Sequence, residues 1–254
     1  MGLTLLAAAA TLVFCAPGYP GGAGDAQPVL DQFVKTATAT AGWNAGSLAA
    51  IYDPTEQGGL TKLNSADSVL AFVPYAFFVQ HGAELHLTPL VQADVVGVGV
   101  QERWTLVGKA GGTASPQSMT GYTVLSVAGY APEFVRHSAL ESWALPSDVK
   151  IEATGQLLSA LRRVAGGESV VALLDSTQAA ALPTLPFAAQ LKTLTQSGPL
   201  PVALIAVVDS RVPAPRAKAL QAALIKMSSV PADADTLGSL RLKGFVLPQI
   251  PVKP

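Results

Sequence analysis

The chain has 254 residues, of which 50% are hydrophobic and only 13% are charged, and its formal net charge is −1. A chain of this length buries a full core as one large domain or as two of ordinary size. The near-neutral charge excludes the strongly basic surface of a nucleic-acid-binding protein, and we expect no such partner. The single cysteine, Cys15, excludes an internal disulfide and a cysteine-cluster metal site.

The first sixteen residues, MGLTLLAAAATLVFCA, are almost wholly apolar, but they are fewer than the roughly 20 that a helix needs to cross a bilayer. LLAAAA supplies the apolar centre and the small-residue cleavage site of a secretory signal, yet no Lys or Arg precedes Lys35. We interpret residues 1–10 as a candidate truncated signal peptide and TLVFCA as the first core strand, because strand, loop and helix patterns recur downstream.

From Thr11 the chain alternates short apolar runs with helical patterns. TLVFCA precedes a Pro/Gly loop, PGYPGGAG, and then a helix that opens with Asp25 as a plausible N-cap. SLAAIY and SVLAFVPY are further apolar runs, with a loop and a helix between them. Continuous apolar strands alternating with helices predict an α/β unit whose parallel sheet is covered on both faces.

The middle of the chain changes character at HLTPLVQADVVGVGVQERWTLVGKA, where two long β-like runs follow each other with little helical sequence between them. Such runs often carry a chain from one lobe to another. GYTVLS, APEFVRHSAL and VKIEA then predict strand, helix and strand, with Pro132 near the start of the helix. A second α/β lobe therefore begins here.

The last hundred residues continue the alternation. TGQLLSALRRVAGGE predicts a helix that stops at Gly166 and Gly167, and SVVALLD predicts a buried strand. PLPVALIAVV predicts a long strand, APRAKALQAALIKMSS a helix, and ADADTLGSLRLKGFV a short helix with an apolar tail. The side chains predicted to face inward from the two longer helices are Leu157, Leu158, Leu161 and Val164 in the first and Leu220, Leu224 and Met227 in the second.

Four stretches in this order carry a family resemblance: the PVLDQFVKTATATAGW helix, ERWTLVGKAGGTASPQSMTGYTVLSVAGY, TGQLLSALRRVAGGESVVALLDS and LGSLRLKGFV. Together they make the chain resemble the type II periplasmic solute-binding proteins. Within that class, it is similar to the phosphate, phosphite and phosphonate-type substrate-binding proteins of ABC importers. The resemblance covers nearly the whole chain from Thr11.

This resemblance implies two α/β lobes, each a mixed sheet flanked by helices, with crossover strands as the hinge. Lobe I would comprise residues 11–102 and 196–254, and lobe II residues 103–195. The protein would lie in the periplasm or otherwise outside the cytoplasm, act as a monomer without a cofactor, and deliver a small-molecule solute to the membrane permease of an ABC transporter.

Solutes in open α/β sheets bind beyond the carboxyl ends of strands, and this rule selects candidate site residues. Pro17, Gly18 and Tyr19 follow the first strand, where the backbone could approach a ligand and the ring could form a wall; an ordinary Gly-rich connection is the alternative. Tyr75 ends the third apolar run, where its hydroxyl could donate to a ligand or its ring could merely pack.

The loop SVAGYAPEF offers Ser126, Gly129 and Tyr130 beside a helix start, an arrangement that suits an anion. The family has a hydroxyl-rich turn where this chain has Ala128, Gly129 and Tyr130, so the identity of the solute stays open. An uncharged or aromatic cleft would favour a weakly polar ligand over an anion. Asp175 ends the SVVALLD strand, where the family often uses an acid to meet a cationic group; a helix N-cap is the equal alternative.

Two other functional classes fit the sequence less well. A hydrolase could combine Ser126, His137 and Asp175, but LSVAG is not the G-x-S-x-G nucleophile elbow. His81, His86 and His137 are isolated from acids at metal-ligand spacing, which argues against a metal site. A ligand-sensing domain of a regulator on a similar scaffold is the third class, and it would need a signalling or DNA-binding partner domain. We therefore expect a binding protein rather than an enzyme.

Overall fold

The computed structural model describes residues 10–19, 22–112 and 115–250. The candidate signal peptide falls outside these residues except for Ala10, which begins the first strand. The chain forms two mixed sheets, of six and five strands, and a two-stranded ribbon between them. Among the described residues, no helix is long and apolar enough to cross a membrane.

The strands are β1 (Ala10–Cys15), β2 (Leu48–Asp53), β3 (Ser68–Pro74), β4 (Leu87–Val95), β5 (Gln101–Glu102), β6 (Thr105–Lys109), β7 (Thr123–Ser126), β8 (Lys150–Ala153), β9 (Val170–Leu174), β10 (Leu191–Gln196), β11 (Leu200–Pro201), β12 (Ala203–Val208) and β13 (Leu242–Val246). The helices are α1 (Ala23–Thr40), α2 (Glu56–Leu63), α3 (Tyr75–His81), α4 (Pro132–Phe134), α5 (Leu157–Gly166), α6 (Ser176–Ala181), α7 (Ala214–Met227) and α8 (Ala234–Ser239). Helix α4 continues into a π-helical turn, Val135–Ala139.

The six-stranded sheet has the order β13-β4-β12-β3-β1-β2. Strand β1 runs parallel to both β2 and β3, as the alternation of apolar runs and helices predicts. Strand β12 is antiparallel to both of its neighbours, which makes the sheet mixed. Side chains alternate along β1 to either face, so this sheet carries one core against α1, α7 and α8 and another on its opposite face.

Helix α1 begins slightly earlier than the sequence predicts. Gly22 is the N-cap residue and provides no side-chain cap, while Asp25 lies in the first turn instead of at the N-cap. A carboxylate in the first turn complements the positive end of the helix dipole in either position. The predicted inward positions of α7, Leu220, Leu224 and Met227, are all buried.

The five-stranded sheet has the order β10-β6-β9-β7-β8 and is covered by α5. Gly167 ends α5 in the left-handed conformation with φ of 87°, which confirms the predicted stop. The prediction for Leu158 was wrong, since its side chain is 44% exposed. Ala160 and Ala165, beside Leu161 and Val164, complete the buried face instead, because a small side chain suffices where the helix lies close to the sheet.

Two crossovers connect the sheets and pair with each other. Strand β5 is antiparallel to β11, with Glu102 opposite Leu200 and Gln101 opposite Pro201. The Arg103 guanidinium donates a 2.7 Å hydrogen bond from Nη1 to the carbonyl oxygen of Ser197 on the other crossover. The ribbon lies at the base of the junction between the two sheets, where the first crossover places Glu102 and Trp104.

Candidate solute-binding site

The junction between the two sheets gathers most of the residues that the sequence selected. A narrow gap separates two groups of these residues. On one side lie Pro17 and Tyr19, which follow β1, and Tyr75 at the start of α3. On the other side lies Tyr130, from the loop after β7. The gap is lined by aromatic and apolar side chains and retains a volume of only about 10 Å³. The two halves of the molecule are therefore in contact along this gap.

Gly18 makes the closest backbone approach across the junction. Its φ is 83°, and a Cβ built on it would lie 2.7 Å from the carbonyl oxygen of Val127. A side chain here would need both a disfavoured backbone conformation and space that the opposite loop occupies. Gly18 therefore contributes by allowing the loop after β1 to contact the loop after β7.

Tyr75 is a packed aromatic that also lines the gap. Its ring stacks on Phe78, with centroids 6.1 Å apart, and meets Phe134 edge-on at the same centroid distance. Burial raises the pKa of its hydroxyl above the ordinary value. Phe134 also meets Trp104 at 5.2 Å, so aromatic rings connect α3, α4 and the crossover.

Ser126 and Gly129 lie behind the surface of the gap. Ser126 is fully buried, and its Oγ accepts a hydrogen bond of 3.2 Å from the backbone N–H of Ala128. A Cβ on Gly129 would lie 2.1 Å from the carbonyl oxygen of Glu152, so this glycine permits close packing of the loop on β8. In this arrangement, both residues shape the loop that presents Tyr130, and neither is among the residues that line the gap.

Asp175 takes the capping role that the sequence offered for it. It is the N-cap of α6, where its Oδ1 accepts a 2.8 Å hydrogen bond from the Gln178 backbone N–H, and the Gln178 side chain accepts one in return from the Asp175 N–H. Its carboxylate also faces the Tyr19 hydroxyl across the junction. Capping therefore fixes the carboxylate at the junction, where it faces Tyr19.

A second and much larger cavity opens at the same point. It has a volume of about 550 Å³, within the range of about 300–1,000 Å³ typical of small-molecule sites. It extends between the first half of α1 and the six-stranded sheet toward the segment from α8 to β13. Tyr19, Glu102, Asp175 and Thr177 are among its lining residues, and most of the others are apolar.

The electrostatics of this opening depend on two buried carboxyl groups. Glu102 is 7% exposed and Asp175 is 5% exposed. Burial and the neighbouring charge of Asp175 raise the pKa of Glu102 to about 8, although the Ser176 N–H and the Trp104 side chain oppose the shift. Burial also raises the pKa of Asp175, against hydrogen bonds from Gln178, Thr177 and Tyr19. Burial and both carboxylates raise the pKa of the Tyr19 hydroxyl.

Sequence analysis missed Glu102, Trp104 and Thr177. The sequence VQERW did indicate Glu102, because a charged side chain in a β-like crossover is expected to face either solvent or a functional cleft. Cys15 also lines the larger cavity, and burial raises the pKa of its thiol to about 12. In the part of the chain that the structure describes, no cluster of His, Cys, Asp and Glu is arranged to hold a metal ion.

Comparison with known proteins now identifies the class. Residues 91–250 match the family model described as "ABC transporter, phosphonate, periplasmic substrate-binding protein". The chain belongs to this family. The family consists of transporter substrate-binding proteins rather than enzymes, so this chain is an extracytoplasmic protein that binds a small-molecule solute and serves a membrane permease. No curated protein sequence matches the chain.

Solved structures support the fold of this substrate-binding protein. XAC2383 from Xanthomonas citri, solved with chloride, superposes with a TM-score of 0.69 at 16% identity, covering 96% of this chain and 92% of that one. A binding-protein component of a phosphonate ABC transporter from Pseudomonas aeruginosa superposes with a TM-score of 0.58 at 13% sequence identity. The match covers 93% of this chain and 80% of that one. PhnD1 from Prochlorococcus marinus, solved with methylphosphonate, superposes with a TM-score of 0.57 at 12% sequence identity. The match covers 94% of this chain and 92% of that one. The two-lobed α/β fold is therefore the expected one.

Proposed function

We propose that this substrate-binding protein captures its solute at the junction of two lobes and closes over it by hinge motion about the crossovers. Lobe I would comprise residues 11–102 and 196–254, and lobe II residues 103–195. The observation that carries the proposal is the 550 Å³ cavity, which is lined from both sides of the β5–β11 ribbon. A crossover pair with short strands can bend while each sheet stays rigid.

Within this proposal, the candidate residues have two kinds of role. Tyr19 and Asp175 would contact the solute, because both line the larger cavity. Pro17, Tyr75 and Tyr130 would close the gap over it, since they line the narrow space between the lobes. Gly18, Ser126 and Gly129 would shape the two loops that meet there.

The protein would work as a monomer, because both walls of the site come from one chain. A second copy would supply no residue that the cavity needs. The partner that the family implies is the membrane permease, which would receive the solute from the closed protein.

A thermal-shift screen with a point variant tests the location of the site. Compounds that stabilise the protein are sought among small anions, phosphonates, sulfonates, amines and vitamins. A solute present at 100 times its dissociation constant stabilises the folded state by about 2.7 kcal/mol. Tyr19→Phe removes the hydroxyl that faces Asp175, so we expect a smaller shift with the same compound.

Tyr122→Phe is the matched control, because Tyr122 lies in lobe II and is not among the residues that line either cavity at the junction. The compound should raise the melting temperature of Tyr122→Phe by the same amount as that of the unmodified protein. A compound whose shift is the same in all three proteins would contradict a site at Tyr19.

A further inference from the structure

The larger cavity has an apolar interior. Its floor includes Phe14 and Phe72, whose ring centroids lie 5.1 Å apart within an aromatic cluster on the sheet. Its roof includes Ala26, Val29 and Leu30 of α1. Space of this kind favours an apolar body, because the transfer of apolar surface from water into an apolar environment is favourable. A small solute without an apolar body would leave most of this interior unfilled.

The ionisable groups of the cavity include three carboxyl groups, and its other polar side chains are mainly hydroxyl groups. Glu102 and Asp175 lie at its opening, and Asp25 lines it from the first turn of α1. No Lys, Arg or His is among the lining residues in the described ranges. The positive end of α1 could by itself attract an anion, but Asp25 already complements that dipole.

Glu102 is a buried acid near the opening of the cavity. Among residues 10–19, 22–112 and 115–250, no basic side chain lies within 4 Å of Glu102 or Asp175. The backbone N–H of Ser176 donates to Glu102 Oε2 over 3.4 Å, a long hydrogen bond. A buried carboxyl group without a cationic partner favours its neutral form, so a ligand that brings positive charge would bind to the ionised form and stabilise it.

We propose that the solute is an organic cation whose ammonium group binds between Glu102 and Asp175 and whose apolar body fills the cavity beneath α1. This inference rests on the proposed site at the lobe junction and names the class of its solute. An ammonium group stabilises the ionised form of both carboxyl groups, whereas an anionic head group would be repelled by the Asp175 carboxylate and would keep Glu102 protonated. The Tyr19 and Thr177 hydroxyls are placed to orient the head group as further polar contacts.

Four compounds separate the head group from the body. They are 2-phenylethylammonium and 2-phenylethylphosphonate, which share an apolar body, and methylammonium and methylphosphonate, which have almost none. Isothermal titration calorimetry of the full chain measures each dissociation constant. We expect 2-phenylethylammonium to bind at least about tenfold more tightly than each of the other three, a difference of about 1.4 kcal/mol.

Two isosteric variants test the head group, and one pair of variants tests the body. Glu102→Gln and Asp175→Asn should each weaken 2-phenylethylammonium by about tenfold or more, since each removes a buried charge partner. Ala26→Trp fills the cavity from α1 and should abolish binding of the same compound. Ala39→Trp places the same side chain on an exposed position of α1 and should leave binding unchanged. Circular dichroism melting curves establish that each variant is folded.

Three outcomes overturn the inference. If either phosphonate binds more tightly than 2-phenylethylammonium, the site is an anion site. The proposed function at the lobe junction would still stand if Tyr19→Phe weakens binding of that phosphonate. Binding of none of the four compounds would exclude both the head group and the body. Binding of 2-phenylethylammonium that Ala26→Trp and Glu102→Gln do not alter would place the cation elsewhere and would remove support for the junction site as well.

Discussion

The Glu102 carboxyl occupies the crossover, where burial and the charge of Asp175 favour its protonated form. Its pKa is about 8 in the folded protein, above its ordinary value of 4.5. Between these two pH values the folded state retains a proton that the unfolded state has released. Stability from this group is therefore lost as the pH rises from about 4.5 to about 8, and the loss levels off above that.

Glu102→Gln should remove this pH dependence, because the amide keeps the shape of the side chain and cannot ionise. We expect the variant to gain stability relative to the unmodified protein as the pH rises, by up to about 1.4 kcal/mol per pH unit within that window. Urea unfolding at pH 5, 7 and 9 measures the difference. The pKa of Asp175 is also raised, and Asp175 is present in both proteins, so it does not reverse the expected change of the stability difference with pH.

Glu141→Gln is the control for the same charge removal at an exposed position. Its stability difference should be small and nearly constant between pH 5 and pH 9. A constant difference for Glu102→Gln as well would mean that Glu102 ionises at its ordinary pKa and that the opening of the cavity is well solvated.

At the scale of elements, the loop after β1 depends on Gly18. Gly18→Ala adds a methyl group 2.7 Å from the Val127 carbonyl oxygen, and it also carries the cost of a left-handed φ, about 1–2 kcal/mol. Gly46→Ala carries the same kind of backbone cost, with φ of 72° and no atom within 4 Å of the added Cβ. We expect both variants to be less stable, but only Gly18→Ala to hold the lobes apart.

Ligand affinity separates the two effects. A compound from the thermal-shift screen should bind Gly18→Ala at least about tenfold more weakly, since closure is blocked, and should bind Gly46→Ala as it binds the unmodified protein. Equal affinity for both variants would show that the contact between Gly18 and Val127 plays no part in binding.

Element types were predictable because their signals are local. Apolar runs located the parallel strands around β1, and Gly167 located the end of α5. The local pattern wrongly predicted that Leu158 is buried. Which face of α5 is buried depends on how the helix packs on the neighbouring sheet and not on the spacing of leucines alone. Glu102 was missed for the same reason, since the long-range pairing of β6 with β9 brings the end of β9, where Asp175 lies, beside the crossover that carries Glu102.

At the scale of the whole molecule, the halves built on the two sheets meet along a contact surface that is mostly aromatic and apolar. Tyr75 and Phe134 pack edge-on across it, and the Gln80 side chain accepts a 3.1 Å hydrogen bond from the Glu133 N–H. Opening about the β5–β11 ribbon would expose these groups together, so we expect the solute to shift an equilibrium between open and closed forms. The permease that the family implies would then distinguish the loaded protein by its closed shape.

Small-angle X-ray scattering of the full chain, with and without the compound that gives the largest thermal shift, tests this account most directly. We predict that the radius of gyration falls on saturation to the value calculated from the structure, in which the lobes are in contact, and that Gly18→Ala shows no such fall. A radius of gyration that stays constant while the compound binds, or one that rises, would contradict capture of the solute by lobe closure.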